Sequence, residues 1–213
     1  MEKLSSSWDS DYEQSKLNAN YEPLWEKLRE FYKNKNIKTV LDFGCGDGNY
    51  SFLMQKDGLE LLGIDISNRA VKKALSYKKI QEIDNIDFKI KDTILDEIKS
   101  NSFDLVVLLN SFHCLKKQER SDLLSKIKRV LKQNQYLFLS VLSLEDESYP
   151  RDQYKQIEDN TFDDGSGRVF HFFSYEEILK ELKDFKILNI EILENIHPEL
   201  KRKSSLYIIK ASL

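Results

Sequence analysis

Cysteine, proline and glycine are all scarce in this chain of 213 residues, which holds two, three and seven of them. The two cysteines, Cys45 and Cys114, form no CxxC pair. That excludes a disulfide framework and a cysteine-built zinc site, and it suits a reducing cytosol. The prolines, Pro23, Pro150 and Pro198, each fall where a boundary between elements is expected. No long apolar run occurs: the stretch 103–109 is broken by Asp104 and is far too short to cross a bilayer. The N-terminal stretch MEKLSSSWDSDYEQ lacks the apolar segment of a secretory signal, so the expected location is cytoplasmic and no membrane is expected as a partner. An excess of one charge is also lacking. Lys and Arg number 33 against 36 Asp and Glu, a net charge of −3, which gives no general pull toward nucleic acid or anionic lipid.

What is present is a globular composition, 40% hydrophobic and 32% charged. A chain of this length buries roughly 70% of its unfolded surface and needs no cross-link. Short apolar runs alternate with helical spacing from residue 39 onward. The pattern predicts strands over 39–43, 59–64, 86–90, 103–109 and 136–142, with helices over 49–56, 67–77 and 118–131. An earlier helix over 21–32 carries Leu24, Trp25, Leu28, Phe31 and Tyr32 at helical spacing. A last helix over 175–182 is followed by strands over 185–193 and 205–210. Strands apolar on both faces with helices between them form a parallel sheet. The expected fold is therefore α/β, a doubly wound, seven-stranded and mostly parallel sheet with helices on both faces. The last two strands lack a helix between them and suit an antiparallel edge hairpin. One domain is expected: an arm and helix over 1–36, a binding core over 37–142, an excursion over 143–173, and a helix with the edge hairpin over 174–213.

Although glycine is scarce, Gly44, Gly46 and Gly48 stand together in the turn Asp42-Phe43-Gly44-Cys45-Gly46-Asp47-Gly48 that follows the first strand. Ligands of such sheets bind beyond the carboxyl ends of the strands. The spacing is GxGxG with Asn49 in sixth place, so it departs from the GxGxxG dinucleotide fingerprint, and no GKS or GKT follows. Asp42 and Asp47 would repel a pyrophosphate and attract a cation. The turn suits an adenosyl ligand with positive charge and no phosphate, the character of S-adenosylmethionine. Asp65 ends the second strand, where a carboxylate can accept from both ribose hydroxyls. Asp92 ends the third, where it can accept from an adenine amino group. Both acids could instead cap the helices that follow.

These pieces together resemble the class I S-adenosylmethionine-dependent methyltransferases. The resemblance rests on VLDFGCGDG (40–48), LLGIDIS (61–67), IKD (90–92), FDLVVLLNSFHCL (103–115) and KRVLKQNQYLFLSV (128–141), in the family's order. It implies the Rossmann-like methyltransferase fold. It places Asp42, Gly44, Gly46 and Gly48 around the methionine end of S-adenosylmethionine, Asp65 with Ile66 at the ribose, Asp92 with Thr93 at adenine, and Asn110 at the end of the fourth strand beside the cofactor. One departure is Asn134-Gln135, where the family has a Pro-Gly or Gly-Gly turn. The segment GRVFHFFSYEEI (167–178) is similar to the small-molecule branch that includes tellurite-resistance methyltransferases.

Methyl transfer from a sulfonium is an in-line displacement, so the protein mainly positions the acceptor and excludes water. His113, after the fourth strand, either orients the acceptor or takes its proton, or else packs and caps the next helix. His171, among aromatics, lines the acceptor pocket or is structural. Trp8 and Tyr12 in the polar arm fold over the cofactor as a lid, or else pack on the sheet or are disordered. The expected acceptor pocket lies between the arm and the excursion, with Phe112, His113 and His171 facing the methyl group. No Asp/Asn cluster suggests a metal. The sequence after the fourth strand, Asn110-Ser111-Phe112-His113, lacks the (D/N/S)PP(Y/F/W) turn of nucleic-acid amino-methylation. The expected partner is a small-molecule acceptor, with no nucleic acid. A protein or RNA acceptor, or a non-catalytic S-adenosylmethionine-binding regulatory domain, are the alternatives.

Overall fold

Val40 and Leu41 are both fully buried although they are neighbours, one in each of two cores on opposite sides of the first strand. A strand with two apolar faces requires cover on both. The computed structural model describes residues 7–12, 22–90, 94–196 and 201–213. Its strands are β1 (Thr39–Phe43), β2 (Glu60–Asp65), β3 (Ile86–Ile90), β4 (Phe103–Leu109), β5 (Leu131–Leu142), β6 (Lys155–Glu158), β7 (Thr161–Asp163), β8 (Val169–His171), β9 (Lys186–Ile196) and β10 (Lys203–Ser212). Its helices are α1 (Glu22–Lys33), α2 (Asn49–Lys56), α3 (Asn68–Ile80), α4 (Ile94–Glu97), α5 (Lys117–Val130) and α6 (Tyr175–Glu181).

The main sheet has seven strands in the order β3-β2-β1-β4-β5-β10-β9. β1 to β5 run parallel, β10 is antiparallel to β5, and β9 is antiparallel to β10, which completes the expected edge hairpin. One face carries α1, α2 and α3 through Leu28, Phe31, Met54 and Val71. The other carries α5 and α6 through Leu124, Ile127, Val130 and Ile178. The chain moves outward from β1 to β3, then crosses back to β4 on the opposite side of β1. The connections that leave β1 and β4 therefore run in opposite directions at the switch point, and a cleft opens there.

Local signals account for the helix starts. The Ser67 hydroxyl accepts from the Ala70 N–H at 3.1 Å and caps α3. The Ser174 hydroxyl does the same for α6 through the Glu177 N–H. Asn134, at the departure from the family's turn, takes a left-handed backbone with φ 58°, which asparagine tolerates better than most residues. β5 starts at Leu131, ahead of the expected 136, and its pairing with β4 shifts register between Phe103 and Leu105.

The excursion is more ordered than its sequence suggests. β6, β7 and β8 form a separate antiparallel sheet in that order, and a bridge between Ser143 and Phe173 ties its base back to the main sheet. Strands of three or four residues are too short to display an alternating pattern.

Candidate active site

β1 delivers Phe43 into a turn in which Gly44, Gly46 and Gly48 all have left-handed backbones, with φ of 78°, 56° and 88°. At Gly44 a side chain is excluded twice, because a Cβ would also stand 2.3 Å from the Cβ of Ser111. The Gly44 and Cys45 N–H groups donate to the Ile64 carbonyl at 2.7 and 3.1 Å, which pins the turn to the end of β2. Asp65, only 8% exposed, completes the junction. Its Oδ2 accepts from the Gly46 N–H and its Oδ1 from the Ser67 N–H, both at 2.8 Å.

Asp42 lies beneath the turn and is 2% exposed. The Ser51 hydroxyl donates to its Oδ2 at 2.5 Å. Burial nonetheless pushes its carboxyl up to about 7, and the nearby charge of Asp65 adds to the rise. Asp47 is buried too and accepts from the Asn49 amide at 2.8 Å. Buried acids gathered at a glycine turn favour a ligand with positive charge.

The opposite wall grows from the end of β4. Asn110 has φ 53°; its N–H donates to the Ser140 hydroxyl at 2.9 Å, and that hydroxyl donates back to Asn110 Oδ1 at 3.0 Å. The Ser111 hydroxyl donates to the Phe43 carbonyl at 2.8 Å and stitches the ends of β1 and β4 together. A single 3₁₀ turn over Phe112–Cys114 then leads to α5. The arm closes the space from above, with Trp8 and Tyr12 facing Gly44, Asp65, Ile66, Asn110, Ser111 and Cys114 across a cleft of about 130 Å³. A larger and more open groove of about 610 Å³ runs along α3 past Lys72 and Ile80, and it touches none of the glycine-turn residues.

The sequence-predicted residues thus divide. Asp42, Gly44, Gly46, Gly48, Asp65, Ile66 and Asn110 come together at the switch point. Asp92 and Thr93 lie outside the described residues. His113 and His171 are brought near each other, but neither lines the cleft; the neighbouring Cys114 does. His113 is 2% exposed with an unpartnered Nδ1, and burial lowers its imidazole to about 3. His171 is 1% exposed, and its Nδ1 shares a 2.7 Å hydrogen bond with the Thr161 hydroxyl. Burial, helped by the charges of Arg120 and His113, lowers it to about 3 as well. Glu177 Oε1 lies 3.1 Å from His171 Nε2 without hydrogen-bond geometry. Both imidazoles are therefore neutral at neutral pH, and in this placement neither borders the cleft at which the sequence expected them to face the methyl group. Arg120 lies beside them. It is buried, paired to Glu181 at 2.7 Å and bonded to the Leu115 carbonyl at 2.9 Å, and so ties the segment after His113 to α6. Sequence reasoning missed Arg120, Ser51 and Ser111, because an isolated serine or arginine carries no pattern.

A glycine turn backed by buried acids, at the switch point of a sheet with this strand order and this edge hairpin, defines a class I S-adenosylmethionine-dependent methyltransferase. The comparison with known families agrees: the chain belongs to the methyltransferase-domain family, whose model matches residues 34–197. An uncharacterized methyltransferase of Schizosaccharomyces pombe is 29% identical over 107 residues, covering 50% of this chain and 72% of that protein. Among solved structures, a protein of Pyrococcus horikoshii shares the fold with a TM-score of 0.73 at 24% identity, covering 93% of each chain. The 1,6-didemethyltoxoflavin-N1-methyltransferase of Burkholderia thailandensis, solved with 1,6-didemethyltoxoflavin and S-adenosylhomocysteine, shares it with a TM-score of 0.73 at 15% identity, covering 99% of this chain and 87% of that one. The residues present fit S-adenosylmethionine, because the buried carboxyl of Asp42 suits its cationic methionine end and the glycines admit its close approach.

Proposed function

We propose that the chain transfers the methyl group of S-adenosylmethionine to a small-molecule acceptor held between the glycine turn and residues 7–12. The observation that carries this reading is enclosure: the cleft is bounded by Gly44 and Asp65 on one side and by Trp8 and Tyr12 on the other. Behind Trp8 the excursion supplies Phe170, at 6.2 Å between ring centroids, and Tyr149, at 4.4 Å from Phe170. Walls of this kind suit a compact, largely apolar acceptor better than a polymer. The Burkholderia fold neighbour, named as a 1,6-didemethyltoxoflavin-N1-methyltransferase, supports the reading at the level of fold alone.

In this reading Asp42 faces the methionine end of the cofactor, Asp65 accepts from the ribose hydroxyls beside Ile66, and Asn110 borders the methyl-bearing end. Gly44, Gly46 and Gly48 let the cofactor lie against backbone. Asp92 and Thr93 serve the adenine. S-adenosylmethionine, when bound, supplies a methyl group already activated by its sulfonium. The chain then has to orient the acceptor in line and exclude water, which Trp8, Tyr12 and the wall from Ser111 to Leu115 do. His113 and His171, neutral and enclosed, hold that wall in place from behind.

Incubation with methyl-labelled cofactor and a cell extract divided by size tests this. Label in a low-mass product is the expected result. Label confined to RNA or protein would favour a macromolecular acceptor. Cofactor binding without turnover in any fraction would favour a regulatory domain.

A further inference from the structure

The arm reaches the cofactor cleft through one more residue, which has no part in the roles above. Asp9 Oδ1 accepts from the Ser67 hydroxyl at 2.5 Å and from the Arg69 N–H at 3.0 Å. Ser67 is the cap of α3, and its own N–H donates to Asp65 Oδ1 at 2.8 Å. Asp65 Oδ2 in turn accepts from the Gly46 N–H at 2.8 Å. Over Gly46 stands Tyr12, whose hydroxyl is 2.5 Å from where a Cβ on that glycine would be. The contacts close a circuit, Asp9–Ser67–Asp65–Gly46–Tyr12, that starts and ends in the arm. Trp8, on the other side of Asp9, is held at the excursion by Phe170 and by the Arg168 guanidinium, 5.4 Å from its ring centroid.

The chemistry at Asp9 suits a fastening. Its carboxylate meets the positive end of the α3 dipole and takes a hydroxyl and a first-turn N–H, which is the role of a second capping residue supplied from a distance. The Ser67 hydrogen bond is the main reason its carboxyl stays below the usual range, with the Arg69 and Lys72 charges adding, so the group is ionised and its hydrogen bonds are charge-assisted. The arm must also move. The cleft of about 130 Å³ is smaller than the roughly 300–1,000 Å³ of sites that take ligands of cofactor size.

We propose that Asp9 is a positioning residue for methyl transfer: it fastens residues 7–12 over the cofactor cleft, so that it governs the cofactor's residence time and places Trp8 and Tyr12 against the acceptor. This rests on the assignment of the cleft to S-adenosylmethionine. Because Tyr12 covers the glycine against which the cofactor would lie, the same fastening slows both admission and release.

The test is the kinetics of S-adenosylhomocysteine binding to the full chain, wild type against Asp9→Ala and Asp9→Asn. Trp8 emission is followed alongside in a Trp25→Phe background. Loss of the charged acceptor is expected to speed dissociation about fivefold or more. It is also expected to shift Trp8 emission to the red and leave the unfolding temperature near that of wild type. Asp9→Asn keeps an acceptor oxygen without the charge and is expected to fall between the two. Unchanged dissociation rates and unchanged Trp8 emission in Asp9→Ala, with wild type binding normally, would overturn the proposal alone. A wild-type chain that binds neither S-adenosylmethionine nor S-adenosylhomocysteine would overturn the cofactor assignment and the proposal with it.

Discussion

The Ser51 hydroxyl donates to Asp42 Oδ2 at 2.5 Å, joining the start of α2 to the end of β1 beneath the glycine turn. The bond favours the carboxylate, yet burial opposes it and prevails, and the acid titrates near neutrality. The protein thus keeps, under its cofactor cleft, a group whose charged form is poorly compensated until a cation arrives.

Asp42→Asn is therefore expected to stabilise the cofactor-free chain at pH 8 while weakening the cofactor. The sign follows from the raised carboxyl. Its contribution to stability is complete below the unfolded value of 3.8 and is lost as pH rises through about 7. Asparagine, neutral throughout, avoids that loss, which is on the order of 4 kcal/mol. Urea unfolding should separate the two chains at pH 8 and bring them together near pH 4. Calorimetry with S-adenosylmethionine should show at least a tenfold loss of affinity. A variant that is less stable at pH 8 and binds as well as wild type would contradict both halves.

Asp65→Ala is expected to lose about 1.5–3 kcal/mol of cofactor affinity, the range for hydrogen bonds to a charged acceptor. A role in cofactor binding alone would leave stability unchanged. The structure adds an effect on it, because the Gly46 and Ser67 N–H groups both lose their acceptor at a buried junction. A further loss of about 1–3 kcal/mol in unfolding free energy is expected for this reason. Titration and denaturation of the same variant check the two losses separately. Retained affinity would place the ribose elsewhere.

The strands of the main sheet were legible because each is a short apolar run between helices with clear periodicity; β1, β3 and β4 coincide with their expected bounds. The edge hairpin was legible because the segment before β10 has no helical spacing. The glycine turn and its acids were legible because a GxGxG run with carboxylates has few chemical uses. The small sheet was not, since Thr161 to Asp163 and Val169 to His171 make strands only through partners within the same excursion. The placement of His113 and His171 was hidden for another reason. Both are enclosed by segments distant in the chain, beside an Arg120–Glu181 pair that spans 61 positions, and no local pattern encodes such packing. The Asp9 contact with Ser67 spans 58 positions and is hidden in the same way.

Gly44→Ala is expected to damage the site more than Gly58→Ala, although both glycines have left-handed backbones, at φ 78° and 89°. A Cβ at Gly58 meets nothing within 4 Å, so only the conformational cost applies, about 1 kcal/mol. A Cβ at Gly44 meets Ser111, which is itself bonded to the Phe43 carbonyl and cannot swing aside without parting β1 from β4. Overpacking of this kind adds about 1–3 kcal/mol. Unfolding free energies of the two variants give the difference directly, and equal losses would mean that the end of β4 yields easily.

The two buried histidines and Asp42 impose opposite pH dependences on the cofactor-free chain. His113 and His171, lowered to about 3 by burial, contribute stability that is present above the unfolded value of 6.5 and is lost as pH falls through the window down to about 3. Each costs up to about 1.4 kcal/mol per pH unit in that window. Between pH 6.5 and 4, Asp42 acts the other way and offsets about one of the two histidines. Removing that offset with Asp42→Asn should therefore steepen the acid loss of stability toward that of two protons. Adding His113→Asn to it should return the slope to that of one. Urea unfolding in half-unit steps from pH 6.5 to pH 4.5 reads these slopes, and an Asp42→Asn chain whose stability stays flat across that range would mean that the imidazoles are already protonated in the folded state.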